Sequence, residues 1–313
     1  MTSAAESAGG PVMDVRNRPD PEAPTSLAGC RPGLPGDGQS GVSSQTGRGR
    51  SLSDMDDLQV DAYLARIGAG RPARVDAEAL RDLQVHHLYA VPFENLGIHL
   101  GEPVSLDEGA LVEKLVHRRR GGFCYELNGA FAGLLSALGF TVTLLAARAH
   151  GRTGWGPPFD HLALRVDTSE PWLADVGFGR FSRHPLRLGV RAEQQDPEGT
   201  FRIAEGEHGD LDVFLDGEPQ YRLETRPRVL ADFEPTCWWH QTSPRSHFTQ
   251  STVCSLPTDR GRVTLSGRTL IRTDGGERRE HALATDAEVL AAYRTYFGIV
   301  LDRVPSPLVQ TPR

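Results

Sequence analysis

The chain of 313 residues is short of three things, and each shortage removes a class of protein. It has no basic surplus: 34 Lys and Arg stand against 41 Asp and Glu, a formal net charge of -7. A general nucleic-acid binder needs the opposite balance to neutralise phosphates. It has only four cysteines, Cys30, Cys124, Cys237 and Cys254, far apart and at no paired spacing. Neither a disulfide framework nor a zinc ribbon fits that pattern, and a reducing cytoplasm is the expected compartment. Finally, no segment approaches the roughly 18 consecutive apolar residues of a membrane span, and the N-terminus lacks the apolar core of a signal peptide. The expected partners are small molecules, with no nucleic acid and no membrane.

Residues 1–53 form an N-terminal extension rich in Gly, Pro, Ser and Ala, with almost no large apolar residues. Such a segment buries too little surface to offset its ordering entropy, so disorder is expected, and a misassigned start codon would account for it. Cys30 lies inside it and is given no role. From Asp54 the pattern changes. Leu58, Tyr63, Leu64 and Ile67, then Leu80, Leu83, His87 and Leu88, repeat at near-helical spacing. Ser105 and Glu108 make a capping-box pattern ahead of a third helix. A fourth is expected from Cys124 to Leu138, with Leu127, Phe131, Leu134 and Leu135 on one face and Gly139 as terminator.

After Gly139 the period shortens. "FTVTLLAARA", "HLALRV" and "PWLADV" read as strands, Asp216-Gly217 as a hairpin turn, and "GRVTLSGRTLIRTDGG" as a second hairpin. Thr285 and Glu288 predict the cap of a last helix. Helices, then antiparallel strands, then a helix mark an α+β fold rather than alternating βαβ units.

The stretch "RGGFCYELN" places Cys124 after a glycine pair and at the start of a helix. Thiolate is the reactive form of cysteine, and a helix N-terminus favours it through the dipole and the unpaired N–H groups. Gly121 and Gly122 would let N–H donors approach a reacting carbonyl. Free cysteines are more often small buried hydrophobes, so position alone does not decide. A nucleophilic cysteine needs a base, and the base an orienting acid. His161 opens the strand "HLALRV", and Asp175 ends the apolar run "WLADV" before Gly177-Phe178-Gly179, where a buried acid wants a partner. Taken singly, His161 as an ordinary histidine and Asp175 as a turn cap remain the simpler readings.

Other candidates for these roles are His150, Asp160, Asp167 and His240. Asp160 should point away from its neighbour His161 if the chain is extended there, and Asp167 looks like a hairpin-turn residue. His240 makes a C-x-x-H pair with Cys237, but a second ligand pair is missing and no metal is expected.

Together "VPFENL" (residues 91–96), "RRRGGFCYELNGAF" (118–131), "HLALRV" and "WLADVGFG" (172–179) resemble the arylamine N-acetyltransferase family in order and spacing. The resemblance runs from about Asp54 to near the C-terminus. It implies a helical bundle over 54–140, a central antiparallel β-barrel over 141–240 and a C-terminal α/β lid over 241–313. It further implies a Cys124, His161, Asp175 triad that takes an acetyl group from acetyl-CoA, through a thiolate–imidazolium pair, and passes it to an arylamine or hydrazine. Phe93, Phe123 and Phe178 resemble the family's aromatic substrate wall. Gly179 and the segment with Ser243, Arg245 and Ser246 resemble its coenzyme cleft. Core packing and an ordinary polar loop are the plain alternatives for these two groups. Glu94 and Asn95 read as hydrogen-bonding struts. The run Arg118 to Arg120 reads as a solvated helix end, with attraction of coenzyme phosphates as the other option.

The same motifs occur in amide synthases that release polyketide chains onto aryl amines as macrolactams, and acyl-donor size would separate the two activities. A binding protein that has kept the fold would not need all three polar residues. A papain-like protease would show peptide hydrolysis lost in Cys124→Ser.

Overall fold

The computed structural model describes residues 55–307, apart from 152–153. The N-terminal extension to residue 53, with Cys30, lies outside the described residues.

Helix α1 (Asp57–Ile67) starts at a reciprocal cap in which the Asp56 carboxylate accepts the Gln59 N–H and the Gln59 side chain accepts the Asp56 N–H. Val60, Tyr63, Leu64 and Ile67 face the core, whereas Leu58 is 80% exposed. Five residues before Tyr63, Leu58 sits about 140° round the helix from it, off the apolar face. Helix α2 (Ala77–Ala90) is capped by Asp76. A short strand, β1 (Phe93–Glu94), and a five-residue helix, α3 (Leu96–Leu100), follow. Helix α4 (Glu108–Val112) starts two residues later than the sequence predicts. Asp107 accepts the Ala110 N–H, while the Ser105 hydroxyl accepts the N–H of Asp107 itself. A carboxylate one residue before the helix has the shorter reach to its free N–H groups. The helix continues as a π-helical turn, Glu113–His117. Helix α5 (Cys124–Ala137) is buried along nearly all its length, and Gly139 past its end has φ +96°.

Nine antiparallel strands follow: β2 (Thr141–Gly151), β3 (Gly154–Trp155), β4 (His161–Asp167), β5 (Pro171–Ala174), β6 (Leu186–Arg187), β7 (Gln194–Asp196), β8 (Gly199–Glu205), β9 (Leu211–Leu215) and β10 (Glu218–Arg228). Their order is β6-β5-β4-β2-β10-β9-β8-β7, with β3 on β2. The two edges meet through one side chain. The Gln194 amide accepts the Arg187 N–H at 2.8 Å and donates to its carbonyl at 3.1 Å, standing in for a strand partner. The sheet is thus a nearly closed barrel, with Phe201, Ile203, Val213, Tyr221 and Leu223 in its buried core. Asp216 and Gly217 both take positive φ, as a two-residue hairpin requires.

Helices α6 (Glu234–Thr242) and α7 (His247–Gln250) lead to a second sheet, β11 (Val253–Thr258), β12 (Gly261–Ser266), β13 (Thr269–Asp274) and β14 (Glu277–Ala282). Its far edge is β1, paired with β11, which ties the segment before α5 to the C-terminal sheet. Helix α8 (Asp286–Phe297) carries the Thr285–Glu288 capping box and packs Val289, Tyr293 and Phe297 on this sheet. The molecule is therefore α+β. Leu127 and Phe131 of α5 share one core with Leu144 of β2 and Leu162 and Leu164 of β4, which brings the start of α5 to the start of β4.

Candidate active site

Cys124 is the first residue of α5, and Phe123 before it is extended. The bend that delivers it depends on glycine: a Cβ at Gly121 would lie 1.9 Å from the Pro92 carbonyl oxygen. The N–H of Gly122 donates to Pro92 and that of Phe123 to the Glu126 carboxylate, so neither is free for a substrate oxygen. The first-turn N–H groups of Cys124 and Tyr125 have no acceptor within the helix.

Around this bend the charges are buried and paired. Arg120 bonds Glu94 at 2.9 Å and Glu102 at 3.1 Å, and Lys114, the single lysine of the sequence, bonds Glu126 at 2.6 Å. Arg120 is therefore a structural ion pair rather than part of a solvated helix end, while Arg118 and Arg119 are exposed. Against the cost of burial, Lys114 and Arg120 hold the Glu94 carboxyl below its usual range. Asn95 bonds the carbonyls of Phe248 and Ser251 and the N–H of Val253, fastening β1 to the second sheet.

The structure brings His161 and Asp175 together: Nε2 lies 2.7 Å from Oδ2, with both side chains buried. Asp175 Oδ1 also accepts from Asn128 Nδ2 at 2.8 Å and from the Gly177 N–H at 2.9 Å. Asn128 stands one turn beyond Cys124 on α5. It further donates to the Leu162 carbonyl and accepts from the Val176 N–H, linking helix, strand and loop. Gly177 allows the loop to close on the cysteine, since a Cβ there would lie 2.7 Å from Cys124 Cα. The Cys124 sulfur touches the backbone on both sides of His161: Sγ is 3.9 Å from the Asp160 carbonyl, and the Leu162 N–H bonds the sulfur. Burial pushes the Cys124 thiol well up, with Asp160, Cys237 and Asp175 adding to the shift and the Leu162 N–H opposing it. This runs against what a helix N-terminus alone would give.

Phe178 is half-buried, its ring edge-on to His161 at 5.0 Å, and Tyr221 packs on the same imidazole at 5.2 Å. Phe93 is half-buried beside Gly179. Phe123 is buried against Tyr125, His240 and Phe248, behind the cysteine. Ser246 is fully buried, and its hydroxyl lies 3.1 Å from His240 and accepts the Phe248 N–H. Ser243 is half-buried and accepts the Arg245 N–H. Arg245 is exposed, on the rim of a cavity of about 580 Å³ with Phe159, Thr236 and Trp239. Cys237, whose thiol burial pushes up to about 12, bonds Gln241.

A second cavity, of about 610 Å³, holds Arg180, Arg183, Arg260, Arg262 and Arg278 with Glu198. Arg180 and Arg183 share Glu198. Among the described residues Arg262 has no carboxylate partner; it donates to the Ser255 hydroxyl at 3.1 Å. Ser255 pairs in register with Phe93, and Phe93 lies against Gly179, so a chain of contacts links this cleft to the cysteine.

A family model described as N-acetyltransferase matches residues 76–305, which defines the protein's class as an acetyltransferase enzyme. The arylamine N-acetyltransferase of Mycolicibacterium smegmatis is 37% identical over 262 residues, 78% of this chain and 93% of that protein. The solved arylamine N-acetyltransferase of Salmonella typhimurium superposes with a TM-score of 0.72 at 31% identity, covering 77% of this chain and 91% of that one. That of Mycobacterium marinum in complex with CoA gives 0.69 at 34% identity, covering 77% and 92%. The chain belongs to the arylamine N-acetyltransferase family.

Proposed function

We propose that the protein carries an acetyl group from acetyl-CoA to arylamines and arylhydrazines by a ping-pong route through an acetylated Cys124. The observation that carries this reading is the meeting of Cys124, at the start of α5, with the strand that presents the His161–Asp175 pair. We further propose the three-part division of bundle, barrel and lid, and a cytoplasmic setting.

In this mechanism Asp175 accepts the Nε2 proton of His161, which leaves Nδ1 of the ring as the base. The thiol proton passes to Nδ1 as Sγ attacks the thioester carbonyl. The tetrahedral oxyanion faces the unpaired N–H groups at the start of α5. The carbon–sulfur bond to CoA then breaks, and the departing CoA sulfur takes the proton from the imidazolium. In the second half the amine nitrogen attacks the acyl carbon, its proton goes to His161, the bond to Sγ breaks, and the proton returns to Sγ. An arylamine suits this step because it is largely unprotonated near neutral pH. The thiolate–imidazolium pair is the reactive form in this route; burial of the sulfur opposes it and the Leu162 N–H favours it.

Phe178 and Phe93 are placed as aromatic walls for the acceptor. For the coenzyme, Gly179, Ser243 and Arg245 remain candidates at the near end. The cleft with Arg262, which among the described residues has no carboxylate partner, suits its phosphates, since guanidinium groups bind phosphate in a forked geometry. The test is intact mass after incubation with acetyl-CoA. A gain of one acetyl group by the wild type, absent in Cys124→Ala, supports the reading. No gain in a folded sample would replace it with a longer acyl donor and amide synthase chemistry.

A further inference from the structure

Phe123 stands where the bend before Cys124 becomes helix, and its backbone is fixed at both ends. The Gly122 carbonyl accepts the Glu94 N–H at 2.8 Å, and the N–H of the same peptide, that of Phe123, donates to Glu126 Oε2 at 3.3 Å. The Phe123 carbonyl in turn accepts the N–H groups of Glu126 and Leu127, each at 3.0 Å. In a trans peptide the carbonyl and the N–H point opposite ways, so the Cys124 N–H is turned outward from the start of α5. The Cys124 and Tyr125 N–H groups, next along the chain, are the ones with no acceptor within the helix.

The carboxylate on Phe123 is itself held. Glu126 is 1% exposed, and its other oxygen, Oε1, lies 2.6 Å from Nζ of Lys114. At α8 the exposed Glu288 makes the same reach back to the N–H of Thr285 without being taken out of water. Burying Glu126 makes its charge costly unless it is paired, and Lys114 supplies the pair. Against the cost of burial, Glu126 and Glu94 raise the Lys114 ammonium above its usual range, so the cation is kept. Lys114 belongs to the π-helical turn, and its carbonyl accepts the Arg120 N–H at 3.0 Å, so one residue meets the bend through both backbone and side chain. Gly122 makes room for the carboxylate, since a Cβ there would lie 2.7 Å from Glu126 Oε2.

We propose that Lys114 and Glu126 are positioning residues for acyl transfer: by holding the Phe123 N–H, the pair fixes the peptide planes at the start of α5 so that the Cys124 and Tyr125 N–H groups meet the oxyanion of the tetrahedral intermediate. This rests on Cys124 being the nucleophile. Both residues act through the backbone of Phe123, and because their charges cancel, what they supply is the direction of the donors rather than a field. The oxyanion exists only while the acyl carbon is tetrahedral. Loosened donors therefore slow acylation and deacylation and leave other reactions of the sulfur alone.

The test uses the full chain and compares two reactions of one sulfur. The first is single-turnover acetylation, by saturating acetyl-CoA and by para-nitrophenyl acetate, which has no coenzyme part. The second is carbamidomethylation by iodoacetamide, a displacement that forms no oxyanion. Both need the thiolate, so their ratio reports on the carbonyl oxygen. Glu126→Ala should slow acetylation by both donors about tenfold or more, while alkylation changes by less than about threefold. Gly122→Ala, which displaces the carboxylate without removing it, should lower the ratio in the same direction. Lys114→Met combined with Glu126→Gln removes both charges but keeps an acceptor for the Phe123 N–H, and should bring acetylation back to within about threefold of wild type. The proposal is overturned by acetylation and alkylation falling together, by unchanged acetylation in folded Glu126→Ala, or by a loss confined to acetyl-CoA. A folded double variant no faster than Glu126→Ala overturns it too. If Glu126→Ala does not fold, an unchanged ratio in Gly122→Ala is the overturning result. Failure of the nucleophile reading is distinct: peptide mass would then find the acetyl group of the wild type on a residue other than Cys124.

Discussion

Two imidazole–carboxylate pairs lie beside one thiol, and they are built differently. Asp175 is wrapped: His161, Asn128 and the Gly177 N–H all donate to it, and it is 1% exposed. Asp160 is half-buried, its Oδ1 3.0 Å from Nε2 of His240 but not hydrogen-bonded to it. A carboxylate with three donors on two oxygens has little freedom to reorient, so the ring it holds keeps one tautomer and one direction. A carboxylate held by fewer donors can adjust. The difference gives fixed geometry to the first pair alone.

The sharpest way to break that contrast is Asp175→Asn. The amide keeps the shape but can present an N–H to Nε2, turning the ring to the wrong tautomer, and the acetylation rate constant should fall on the order of a thousandfold. Single-turnover acetyl transfer measures it, and a loss under about tenfold would put the ring's orientation elsewhere. Next in size is Asn128→Ala, which removes donors from Asp175 and Leu162 and an acceptor from Val176. Leaving these buried groups unpaired should cost about 1–3 kcal/mol in unfolding stability. It should also lower kcat by about tenfold through a loosened Asp175. Stability loss with kcat intact would show that His161 and Gly177 hold the carboxylate unaided.

What the sequence made legible follows from locality. The Thr285 cap, the Asp216-Gly217 turn and the start of α5 at Cys124 are each decided by residues within one turn of chain, and all stand where expected. The α4 cap was misplaced by two residues because Ser105 and Asp107 are both competent caps, and only helix geometry chooses between them. Strand β14, "ERREHA", carries no apolar alternation because it is a wholly exposed edge strand, stabilised by pairing with β13 alone. Of the site, the residue types were legible, but Asn128 was hidden as one more position on an apolar helix. The Glu94–Arg120 and Asp160–His240 pairs join residues 26 and 80 positions apart, and nothing local signals such partners.

The smallest effect expected is at the far end of the second pair. Ser246→Ala deletes the hydroxyl that caps α7 and meets His240 Nδ1. Loss of a cap should cost about 1 kcal/mol, seen as a lowered midpoint in denaturant. Because the hydroxyl is fully buried and already engaged, the KM for acetyl-CoA should stay where it is. A raised KM would place this hydroxyl on the coenzyme instead.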